Sequence, residues 1–251
     1  MQKDTLRQFT NALSVILALT VNILASVLPL NGQNTGEISD LFDVYFVPAG
    51  YVFAIWFVIY IGWIAFAIFQ FIPAQKENPR LRNLGYWFAL SGILNAVWLF
   101  CWHYNIFGLS VLVMLALLGT LIVSYLKLDI GQVKVGSSEK WAVDIPISVY
   151  LGWVSVATIA NITDWLYFIE WGGFGINPQV WAVIMLAVAS AVGAMMAFRL
   201  QDAGFLFVFV WAFIGIALKQ VETPLVANSA WAATIVALGL AIYSIVQRRK
   251  K

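Results

Sequence analysis

Aromatic and carboxamide side chains recur at helical spacing in three long apolar stretches of this chain. Phe53, Trp56, Tyr60 and Trp63 are three, four and three residues apart and so share one helical face. Ser91, Asn95, Trp98 and Trp102 form a second such face, and Tyr150, Trp153, Ala157 and Asn161 a third. Flat rings of this kind can stack on a flat apolar ligand, while the carboxamides supply hydrogen bonds. Asn95 lies near the middle of its stretch, where an amide in lipid is costly unless it bonds to another helix or lines a cavity. Trp56, Trp98 and Trp153 lie several residues inside their stretches, which leaves two readings open: an internal aromatic cavity or close packing. Ala157, beside Trp153, favours the cavity by leaving volume for a large planar ligand. No catalytic set stands out, because the serines, Cys101 and His103 form no nucleophile motif and the acids fall at stretch ends. No metal-ligand constellation is visible either.

The elements that carry these faces must be membrane helices. Of 251 residues, 62% are hydrophobic and 10% charged, against roughly 45–50% and about 25% in an ordinary soluble domain. A mean hydropathy of +0.88 excludes a water-soluble globule. A net charge of +2 without a basic domain excludes a nucleic-acid partner. Spanning hydrocarbon takes about 20 apolar residues, and eight stretches qualify. They are Thr10–Leu30, Pro48–Ile72, Leu84–Tyr104, Phe107–Leu126, Trp141–Ile162, Pro178–Phe198, Ala203–Leu218 and Ala227–Val246.

Charge supports this count. With an even number of spans, Lys3, Arg7, Lys76, Arg80, Arg82, Lys127, Lys134, Lys140, Arg199, Arg248, Arg249, Lys250 and Lys251 fall on one side, and of the basic residues only Lys219 does not. Cytoplasmic loops collect Lys and Arg, so both termini are expected in the cytoplasm of a cell whose plasma or inner membrane holds the protein. The first span is longer than a signal-peptide core and is read as part of the mature chain.

Several residues have plain explanations. Trp102, Tyr104, Trp165, Trp171, Trp181 and Trp231 lie near span ends, where aromatic belts form. His103 is either a haem ligand or, as its boundary position favours, a wet interfacial residue. Asp144, ahead of Pro146, suits the start of a helix; a proton relay through it would need a second buried acid, and none is evident. Lys219 and Glu222, three apart, read as an interfacial ion pair. Ala189, Gly193 and Ala197, like Ala233, Ala237 and Ala241, repeat every four residues and read as helix-packing rows or, second, a dimer contact. The loop from Asn31 to Phe46 carries three acids and is either a lid or a solvated connection.

The three faces resemble those of the tryptophan-rich sensory protein, or translocator protein, family (TspO/MBR). The family's second-helix pattern of proline, aromatic and Trp-x-x-x-Tyr is matched by Pro48, Tyr51, Phe53, Trp56 and Tyr60. Its third-helix Asn-x-x-Trp is matched by Asn95 and Trp98. Its fifth-helix Tyr-x-x-Trp, Ala-Thr and Asn are matched by Tyr150, Trp153, Ala157, Thr158 and Asn161. The likeness covers roughly residues 1–165. Here Ala49 replaces the usual second proline, Phe53 lies one residue closer to Trp56, Pro146 lies further upstream, and three more spans follow.

The expectation is therefore an all-α polytopic membrane helical bundle of about eight transmembrane helices. Residues 1–165 resemble the TspO/MBR five-helix bundle, and residues 166–251 add three helices packed on it. The resemblance implies a pocket for a porphyrin, haem-type or other planar hydrophobic ligand, with roles in sensing, signalling or transport and often a homodimer. Its candidate lining is Tyr51, Trp56, Tyr60, Asn95, Trp98, Trp102, Trp153, Ala157 and Asn161. No cofactor is required, and the partners are the lipid bilayer and the ligand. The alternatives are a photo-oxidative porphyrin-degrading enzyme, a transporter completed by the last three helices, and a structural or pigment-associated subunit of a membrane complex.

Overall fold

The computed structural model describes residues 2–28 and 30–249, and among these it holds helices and turns but no strand. Eight long apolar helices stand at the eight expected places. They are α1 (Gln2–Val27), α2 (Ile55–Gln70), α3 (Trp87–His103), α4 (Phe107–Lys127), α5 (Ile145–Phe168), α6 (Pro178–Met195), α7 (Ala203–Lys219) and α8 (Pro224–Arg249). Six of them, with the tighter or wider turns that extend α2, α5 and α6, are long and apolar enough to cross a membrane. α3 and α7 have 17 residues each, roughly 25 Å at about 1.5 Å per residue, a little under the ~30 Å hydrocarbon thickness. Pro29, in the first expected span, and Lys250 and Lys251, which the charge argument uses, lie outside the described residues.

Local chemistry sets the helix ends. Asn177 accepts from the Gln179 N–H just before Pro178, and Asp202 accepts from the Phe205 N–H, capping α6 and α7. Asn105 takes a left-handed φ of 60° between α3 and α4, and the Ile106 N–H closes that turn on the Cys101 carbonyl.

By its contacts the chain divides into two units, Met1–Ile38 with Trp56–Leu151 and Ser39–Ile55 with Gly152–Lys251. In the first, α1 packs along α3 and α3 along α4. Gly92 lets α3 approach α1, since a Cβ there would lie 3.0 Å from the Ser14 carbonyl oxygen. Likewise Gly62 of α2 accepts Pro146, whose Cβ would lie 2.8 Å from a Cβ at position 62. At one end of this unit Arg80 pairs with Glu139 and, at 2.7 Å, with buried Asp144, while also donating to the Leu128 carbonyl. Asp144 thus serves an ion pair in the wide turn Lys140–Asp144 that precedes α5, rather than only complementing a helix end.

In the second unit α7 packs along α8, and α6 also lies on α8. The small-residue rows Ala189, Gly193, Ala197 and Ala233, Ala237, Ala241 are buried within it. The segment from Ser39 to Ile55 is packed rather than solvated: Phe42, Val44, Phe46, Val47 and Val52 are buried. The Ala49 N–H donates to the Gly215 carbonyl at 3.1 Å, and Trp211 Nε1 donates to the Val52 carbonyl at 3.0 Å. A Cβ on Gly215 would meet Val52 Cγ2 at 2.2 Å, so only glycine allows this approach.

Phe57, Ile61 and Ile68 on α2, and Ile235 on α8, are more than half exposed. In water such faces would drive association, whereas in lipid they are at rest.

Candidate functional site

In the first unit, α2 presents Trp56, Tyr60 and Trp63 as its spacing predicts. Trp56 stacks on Tyr60 with ring centroids 5.9 Å apart, and Trp63 lies 5.6 Å from Tyr60. Tyr150, from the first turns of α5, closes the group at 5.1 Å from Trp63 and 6.2 Å from Trp56. Trp56 and Tyr60 stay half-buried, so each keeps a ring surface available, while Trp63 and Tyr150 are buried.

A chain of amides supports this group from α1 and α3. The Tyr60 hydroxyl donates to Asn22 Oδ1 at 2.8 Å, and Asn22 Nδ2 donates to Asn95 Oδ1 at 2.7 Å. Asn22 is 4% exposed and Asn95 0%. Asn95 thus finds the cross-helix partner its position demands. Its carboxamide also lies beside the Tyr150 hydroxyl, yet Asn95 Nδ2, the Tyr150 hydroxyl and Trp63 Nε1 make no hydrogen bond of good geometry. A buried unsatisfied polar group costs about 1–3 kcal/mol, so this cluster keeps hydrogen-bonding capacity that its own side chains do not use.

Trp98 and Trp102 are both buried and stack on each other at 5.9 Å. Trp102 Nε1 donates to the Thr35 carbonyl at 3.2 Å, which makes it an interior residue rather than a belt residue. His103 is 0% exposed, not a wet boundary residue. Its Nε2 meets Thr35 Oγ1 at 3.1 Å and its Nδ1 meets the Leu30 carbonyl at 3.4 Å, so both ring nitrogens are engaged and neither suits an axial haem bond. With Asn31 Nδ2 donating to the His103 carbonyl, these bonds tie the stretch after α1 to the end of α3.

The second unit holds the remaining candidates. Trp153 is buried and meets Phe53 edge-on at 5.8 Å. Half-buried Ala157 and buried Asn161 follow at one-turn intervals on α5. Tyr51 is exposed and meets Trp211 edge-on at 5.3 Å. Asp164 continues the α5 face and is 1% exposed, with its Oδ1 unpaired: a buried acid that sequence reading missed. Lys219 pairs with Asp40 at 2.8 Å, not with Glu222. α7 ends at Lys219, and Gln220 leaves helical geometry, so the three-residue spacing to Glu222 has no helix to act through.

Asn22 is the member of this cluster that sequence reasoning passed over. Its signal was a lone carboxamide well inside a 26-residue apolar helix, the same signal that singled out Asn95. Among the described residues no group of three His, Cys, Asp or Glu side chains could hold a metal ion.

Long apolar helices with lipid-facing surfaces and buried aromatic and amide clusters define a multi-pass integral membrane protein. The TSPO-like protein family matches this chain over residues 8–243, and the chain belongs to that family. The match runs through α6, α7 and α8 as well as the helices that carry the three motifs. No curated protein and no solved structure matches the chain.

Proposed function

We propose that this TSPO-like protein binds a planar, largely hydrophobic ligand of the porphyrin or wider tetrapyrrole class within the membrane, in sensing, signalling or transport. The observation that carries this reading is the group of Trp56, Tyr60, Trp63 and Tyr150 set against the Asn22–Asn95 pair. Its half-buried rings offer stacking faces, worth about 0.5–1.5 kcal/mol for each aromatic contact beyond area burial. The Asn95 amide and the Tyr150 hydroxyl offer polar anchoring. Trp98 and Trp102 are further candidates within the first unit, and Tyr51, Trp153, Ala157 and Asn161 are candidates within the second, each unit taken by itself. In this reading no resident cofactor is needed, and the protein works in a plasma or inner membrane with both termini cytoplasmic.

The test is a titration of the purified protein with protoporphyrin, read by tryptophan quenching. Trp56→Leu and Tyr150→Phe are expected to weaken binding, the first by removing a half-buried stacking ring and the second by removing a polar anchor. Binding like the unaltered protein in both variants would dismiss the site assignment.

A further inference from the structure

The second unit contains a cavity of about 650 Å³ that none of the three sequence motifs describes. It lies where the end of α5, the connection 169–177 and the start of α6 meet residues 43–46. It therefore uses α6, which the five-helix pattern does not include.

Contacts among its own residues hold its walls together. Trp181 Nε1 donates to the Gly173 carbonyl at 2.9 Å, and the Trp171 ring centroid stands 5.5 Å from that of Trp181. Gly173 has φ +60°, and a Cβ there would lie 3.2 Å from Trp181 Nε1, so the turn and the ring are fitted to each other. Tyr167 is held edge-on by Phe42 at 6.2 Å.

The polar inventory of this cavity is short. The Trp181 N–H is spent on Gly173, and the Thr163 hydroxyl donates to the Ile159 carbonyl at 2.8 Å within its own helix. Asp43 is the charged residue of the lining; it is exposed, and it makes no ion pair among the described residues. The same lining includes the rings of Tyr45, Tyr167, Trp171 and Trp181. A carboxylate next to aromatic faces attracts a cation through both its charge and the ring quadrupoles. An anion would be repelled there, and a neutral body would draw no attraction from the carboxylate. The volume falls within the roughly 300–1,000 Å³ of sites that enclose a drug-sized body.

We infer that this cavity is a binding site for a lipophilic monocation, an ammonium or phosphonium on an apolar body, with Asp43 as counter-ion and the Trp171–Trp181 wall as its stacking face. This inference does not depend on the porphyrin reading.

The full chain in dodecyl maltoside micelles is tested by equilibrium dialysis with radiolabelled tetraphenylphosphonium and with neutral triphenylphosphine oxide. Saturable binding of the cation is expected, with a loss of tenfold or more in Asp43→Asn and less than a twofold change for the neutral compound. Met185→Trp, which fills the cavity, should weaken both. Cation binding unchanged in Asp43→Asn, or equal affinity for the two compounds in the unaltered protein, would overturn the inference. Protoporphyrin titration of Asp43→Asn, expected to match the unaltered protein, separates a failure here from a failure of the other site.

Discussion

Asn22 and Asn95 join α1 to α3 by a carboxamide–carboxamide bond of 2.7 Å, with Asn95 wholly buried. Tyr60 bonds to the same Asn22, so one amide ties three helices together. In lipid such bonds average about 0.6 kcal/mol and reach ~2, but losing one partner strands the other.

Asn95→Leu is therefore expected to destabilise the protein by about 1–2 kcal/mol, with Asn22→Leu similar. The double variant should cost less than the sum, because both ends of the bond are then removed together. Reversible unfolding in mixed detergent micelles measures all three, and strict additivity would show that the pair is not coupled.

Gly62 and Gly239 form a natural contrast. A methyl group at position 62 would lie 2.8 Å from Pro146 Cβ, whereas one at 239 meets nothing within 4 Å. Gly62→Ala should cost about 1–3 kcal/mol through overpacking. Gly239→Ala should be neutral or stabilise α8 by up to ~1 kcal/mol, because glycine is a poor helix former. Thermal unfolding in detergent reads both, and a harmless Gly62→Ala would refute the close contact.

Two ion pairs should behave differently. Arg80 and Asp144 are nearly buried, at 15% and 3% side-chain exposure, whereas Lys219 and Asp40 stand at 25% and 60%. Arg80→Ala takes the guanidinium away from buried Asp144 and should cost about 3–5 kcal/mol. Asp40→Asn should cost no more than about 1 kcal/mol, and that cost should vanish in high salt. Unfolding midpoints at low and high ionic strength decide the matter.

Most of the architecture was legible because lipid imposes one strong rule: backbone groups must be satisfied within helices, so long apolar runs declare themselves. The Trp56-Tyr60-Trp63 face was legible for the same reason, as helical periodicity is local. What escaped were contacts made across large sequence separations. Asp40 pairs with Lys219 over 179 residues, while the nearby Glu222 drew attention by proximity alone. His103 read as a boundary residue because its bonds go to Leu30 and Thr35, some 70 positions earlier. Three acids between Asn31 and Phe46 suggested a solvated connection, and the buried Phe42, Val44 and Phe46 between and after them outweighed that signal. Asp164 was placed at a span end by hydropathy, but α5 runs on to Phe168 and encloses it.

The seat of the Pro48–Val52 turn lies on α7, through Gly215 and the Trp211 N–H, 159 residues further along the chain. Translation delivers these partners in sequence, and the turn leaves the ribosome long before its seat exists. The early helices must therefore enter the bilayer with this turn undocked, and maturation ends only when the late helices arrive. A chain that stops before α7 therefore leaves Pro48 and Val52 without the helix they rest on, and the Val52 carbonyl without its indole donor.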